Sequence, residues 1–79
     1  MKIAIESTDQ IIQIEKDGAV IPARLWEGHT DSGIPVQCFV TRIGAPQEAN
    51  LEQFDRELQE CRPPASDVFP SVIPLRMIL

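Results

Sequence analysis

Two apolar-alternating stretches meet at Asp17-Gly18, and that dipeptide constrains the fold more than any other feature of the chain. A two-residue hairpin turn that matches strand twist needs positive φ at both turn positions, which glycine adopts without steric cost. The chain must therefore double back, and an antiparallel pair follows. Before the turn, Ile12 and Ile14 share one face of a strand over 10–15. After it, a strand runs over about 19–26. Pro22 has no amide proton to give a ladder, so this strand is expected at an edge, or bulged there.

The remaining elements follow from the same patterning. Ile3 and Ile5 alternate with Lys2, Ala4 and Glu6, predicting a half-buried strand over 3–6 that Ser7-Thr8-Asp9 interrupts. A polar loop with two glycines is expected over 27–33. The stretch 34–43 places Val36, Cys38 and Val40 on one side and Phe39 and Ile43 on the other, as a central strand covered on both faces would. Gly44-Ala45-Pro46 ends the sheet. Asn50 is a good helix N-cap and Gln53 stands at the capping-box position. Leu51, Phe54, Leu58 and Cys61 then recur at helical spacing. Arg62 suits the negative end of the helix dipole, and Pro63-Pro64 stops the helix.

Beyond Pro64 the chain is apolar, and Pro70 and Pro74 exclude a helix across it. Residues 75–79 form either a final strand or a tail that docks on something. The expected fold is α+β in one domain, 1–79, with 63–79 as an apolar, proline-punctuated C-terminal segment. It has a mostly antiparallel sheet of four to five strands with one helix packed on it, in the order β-β-β-β-α-β.

Composition narrows the function classes. With 43% hydrophobic residues the chain can build a core, although 79 residues leave little spare stability, and a second copy could supply more. Twelve acids oppose seven scattered bases, for a net charge of −5, which argues against direct nucleic-acid binding. No apolar run is long enough to span a bilayer. The N-terminus meets Glu6 too early for a signal peptide, and Cys38 and Cys61 are too few for a disulfide framework. These features predict a cytoplasmic protein with reduced thiols and no membrane partner.

Reaction chemistry is hard to find. His29 is the only histidine, so no multi-histidine metal site fits in one chain. Its neighbours Glu27, Asp31 and Ser32 supply the carboxylates and hydroxyl that a hydrolytic cluster or a weak cation site would use, but turns favour the same residue types. Cys38 and Cys61 read as core thiols, and neither phosphate-loop signature occurs. The expectation is a non-enzyme without catalytic residues, metal or cofactor.

Two groups of residues remain as binding candidates. Glu52, Asp55, Glu57 and Glu60 crowd the helix as an acidic ridge suited to a partner with a basic surface. Arg24 and Trp26 share a strand face, with Arg42 on the neighbouring strand. Together with His29 and Arg76 they are the candidates for holding a small ligand, because arginine beside an aromatic can stack on a planar group or clamp a phosphate. The reading favoured over this is that Trp26 is the main core aromatic, with Arg24 snorkelling at its edge.

The stretches Ile21-Pro22-Ala23-Arg24-Leu25-Trp26-Glu27-Gly28, Ser32-Gly33-Ile34-Pro35-Val36, Thr41-Arg42-Ile43 and Pro74-Leu75-Arg76-Met77-Ile78-Leu79 resemble small proteins of bacteriophages and prophages. None of these motifs has a chemical meaning that assigns a residue's role. The resemblance implies a setting in which short phage proteins bind and disable host machinery, anti-CRISPR proteins being the best-known anti-defence class. The expectation is a phage-encoded binding protein that antagonises a host defence protein. The alternative is a sponge that sequesters a nucleotide immune signal, as a homo-oligomer.

Overall fold

In the computed structural model, residues 1–65 are described together with the backbone of 72–74. The order is β1 (Ile3–Lys16), β2 (Ala19–Thr30), β3 (Pro35–Val40), α1 (Leu51–Leu58) and β4 (Val72–Pro74). The chain is thus α+β, built on three antiparallel strands and one helix, with the short β4 pairing in parallel beside β1. Strand order is β3-β2-β1-β4. Three strands precede the helix where four were expected, and the expected strand over 75–79 lies outside the described residues.

The β1–β2 hairpin turns at Asp17 (φ 52°) and Gly18 (φ 82°), so both turn residues occupy the left-handed region that a type I′ turn needs. Lys16 pairs with Ala19 as the closing pair. Hydrogen-bonded and non-hydrogen-bonded pairs alternate from there, which makes Gln13–Pro22 a non-hydrogen-bonded pair. The Pro22 nitrogen therefore points away from β1, toward the side where β3 pairs only from Arg24 onward. Proline is tolerated because β2 is locally an edge at that point. Further along, β2 is an interior strand and β3 an edge of the sheet among the described strands, reversing the expected positions.

What the sequence pattern predicts as a break at Ser7-Thr8-Asp9 is a bulge within one long strand. Ser7 pairs with Trp26 and Ile11 with Arg24, so residues 8–10 stand opposite Leu25 alone. The two extra residues preserve the parity of the strand. Ile3, Ile5 and Ile11 share one face of β1, and Ile12 and Ile14 lie on the other.

That second face carries the core: Ile12, Ile14, Ala23 and Leu25 are buried, and Phe39 packs against them. Trp26 is on the opposite face and half-buried, so it is not the centre of the core. On the first face Ile3, Ile11 and Val20 are exposed by 41%, 44% and 53%, while Arg24, Trp26 and Cys38 are half-buried.

The helix begins where its cap predicts, with the Gln53 amide donating to Asn50 Oδ1 at 3.0 Å. It ends at Leu58, so Glu60 and Cys61 lie beyond it, and Cys61 is exposed rather than part of a buried stripe. No helix residue is buried, and Phe54 and Leu58 are half-buried. No helix residue joins the core cluster, so the helix expected to pack on the sheet meets it only at the margins, where Leu58 and Glu57 border grooves shared with Trp26.

Candidate functional site

The bulge organises the surface around it. Thr8 is fully buried, and its hydroxyl donates to the Leu25 carbonyl at 2.7 Å while accepting from the Gln10 amide. Arg24 Nη1 donates to the Thr8 carbonyl at 2.8 Å. Residue 62 closes the other side: the Asp9 amide donates to the Arg62 carbonyl, and the Arg62 amide donates to the Ser7 carbonyl. Backbone groups freed by the bulge thus find partners, as buried peptide groups require. The Ser7 hydroxyl adds a bond to the Glu60 carbonyl.

A charged clasp lies beside the bulge. Glu27 is buried on the same face as Ala23 and Leu25. Its Oε1 accepts from Arg62 Nη1 at 2.8 Å and from the Ala65 amide at 2.9 Å. The Ala65 amide and then the Arg62 guanidinium hold this carboxyl below its ordinary value, against the opposing pull of burial. Arg62 Nε also reaches the exposed Glu6 at 3.2 Å. Arg62 therefore serves this clasp rather than the helix dipole. Sequence parity held a signal that was missed, because residues 21, 23, 25 and 27 share a strand face and a carboxylate at the buried end needs a partner.

These contacts overturn the loop expected over 27–33. Residues 27–30 belong to β2, and the turn falls at 31–34, where the Thr30 amide donates to the Ile34 carbonyl. Glu27 is engaged by Arg62, and His29 and Asp31 are exposed. Among the described residues no group of three or more His, Cys, Asp or Glu side chains could hold a metal ion. Gly28 has a packing role, since a Cβ there would strike the Ala4 carbonyl of β1.

The ligand candidates are partly brought together. Arg24, Trp26 and Arg42 line one open groove of about 280 Å³, whose walls include Ile11, Val40 and Leu58. Strand pairing explains the arrangement: Ile11, Arg24 and Val40 form one row across the open face, and Ser7, Trp26 and Cys38 form the next. His29, of opposite parity on β2, lines a separate recess with Glu27, Gln37 and Arg62. Arg76 lies outside the described residues.

The helix acids do not form one ridge. Glu52 and Glu57 are about 140° apart around a helix of 3.6 residues per turn, and Glu60 follows the helix end. All four acids are exposed. Glu57 and Glu60 share a recess with Glu6, Trp26, Cys61 and Arg62. Trp26 therefore divides a groove bearing two arginines from a recess bearing three carboxylates and Arg62.

Compared with family models, curated proteins and solved structures, the chain matches none. Among the described residues no helix is long and apolar enough to cross a membrane.

Proposed function

We propose that this chain is a non-catalytic, phage-encoded binding protein that acts in the host cytoplasm, antagonising a host defence protein through direct contact. The observation carrying this reading is the open sheet face. Ile3, Ile11 and Val20 are exposed there, Trp26 is half-buried, and Glu57 and Glu60 stand at one side. Apolar surface beside carboxylates suits a partner with a basic rim around an apolar centre. The test replaces Glu52, Asp55, Glu57 and Glu60 together with Lys and measures affinity for the captured defence protein at physiological salt. These exposed positions leave the core intact, so loss of binding is the expected result. Unchanged affinity removes the electrostatic basis of the reading.

The grouping of Arg24, Trp26 and Arg42 in one groove favours a second reading, in which the protein sequesters a nucleotide signal and a second copy completes the enclosure. A melting temperature raised by members of a nucleotide panel supports it. A melting temperature indifferent to the whole panel removes it.

A further inference from the structure

We propose that the groove between β2, β3 and α1 is a binding site for a planar aromatic anion of mononucleotide size, stacked on Trp26 with its phosphate directed to Arg42 and Arg24. This inference rests on the second reading above and names the ligand class.

Its charge is one-sided. The groove is lined by Ile11, Pro22, Ala23, Arg24, Trp26 and residues 40–43, with Leu58 from the helix. Two of the chain's seven bases are therefore here, with no carboxylate among the lining residues, in a protein of net charge −5. Low-dielectric apolar walls strengthen the field of such a pair at the groove.

The two arginines are differently prepared. Arg24 is held by its bond to the Thr8 carbonyl, so its guanidinium is fixed before any ligand arrives. Arg42 is exposed and, among the described residues, has no hydrogen-bond or ion-pair partner. It can therefore close on an anion without breaking an existing contact. A guanidinium suits a phosphate because its donors form a planar fork.

Trp26 sets the orientation. Its other side borders a recess lined by Glu6, Glu57 and Glu60, whose one base, Arg62, is already paired with Glu6 and Glu27, so the remaining negative charge directs a phosphate toward the arginines of the groove. Stacking on an indole is open to any base, because each has a π face. Size restricts the ligand further. Pockets for drug-sized molecules begin near 300 Å³, and a groove of about 280 Å³ takes one nucleotide rather than two.

Trp26 is the sole tryptophan, which makes its fluorescence a direct reporter of the site. Full-length protein is titrated with AMP, GMP, CMP and UMP, and in parallel with the four nucleosides and with inorganic phosphate. Saturable quenching by the monophosphates is expected. The nucleosides and phosphate alone should bind at least about tenfold more weakly, and Arg42→Ala should weaken the monophosphates by about tenfold or more. Circular dichroism verifies that the variant is folded, and Arg56→Ala, on the helix outside the groove, should bind as the wild type does. Nucleosides binding as tightly as monophosphates, inorganic phosphate binding as tightly as either, or an indifferent Arg42→Ala would each overturn the site. So would absence of quenching up to about 10 mM, the range of very weak binding. If monophosphates fail here while other nucleotides raise the melting temperature, this ligand class falls and the nucleotide-sequestering reading stands. If both fail, that reading falls with it.

Discussion

Glu27 carries a carboxylate into the buried side of β2, where an unpaired charge would be costly to desolvate. Arg62 and the Ala65 amide compensate it, and the short segment after the helix is thereby tied to the sheet. Its depressed pKa fixes the sign of a pH effect. A group whose pKa is lower folded than unfolded contributes stability above its unfolded value and loses it as pH falls through the folded one. The ordinary glutamate value is 4.5. Thermal melts of wild type and Glu27→Gln from neutral pH downward should therefore show the wild type more stable at pH 7. The gap should narrow once pH falls below that ordinary value. A gap that stays constant on acidification would mean that the contribution of Glu27 does not depend on its charge.

At the scale of elements, hairpin and helix stand on different supports. The β1–β2 hairpin combines a turn with positive φ at both positions and a long register of pairs. Helix α1 has eight residues, none buried, and a side-chain cap at Asn50. Isolated helices this short are marginal in water, so the cap should matter locally. Asn50→Ala should cost the helix about 0.5–2 kcal/mol. Amide exchange at 53–58 should accelerate while the β1–β2 amides keep their protection. Loss of protection across the sheet would instead show that helix and sheet unfold as one unit.

For the whole molecule, the two faces of the sheet divide the work. Ile11 and Ile12 are adjacent in sequence, yet Ile11 is 44% exposed and Ile12 is 0% exposed. Ile12→Ala should destabilise by about 2–5 kcal/mol, since truncation leaves a cavity in the core. Ile11→Ala should stay within about 0.5 kcal/mol, as surface substitutions usually do. Denaturant midpoints of the two variants measure the contrast, and equal losses would mean that the open face is also core. Arg24, Trp26 and Arg42 line one groove on the face opposite the core.

Residues 17 and 18 and residue 50 were legible in the sequence because their effects are short-ranged. A positive φ and a side chain bonding an amide three residues on depend only on neighbours. The burial of Ile12 and Ile14 was legible for the same reason, since alternation is local. The bulge, the interior place of β2, the outer place of β3 and the division of the acids between two sides were decided only in three dimensions. So was the pairing of Glu27 with Arg62, 35 residues away. Alternation says which residues share a face, but register and strand order depend on which distant backbone groups find partners. The groove lies between these cases: alternation places Arg24 and Trp26 on one face of β2, the chain just past β3 brings Arg42 to the same groove, and the extension of β2 to Thr30 puts His29 on the other face.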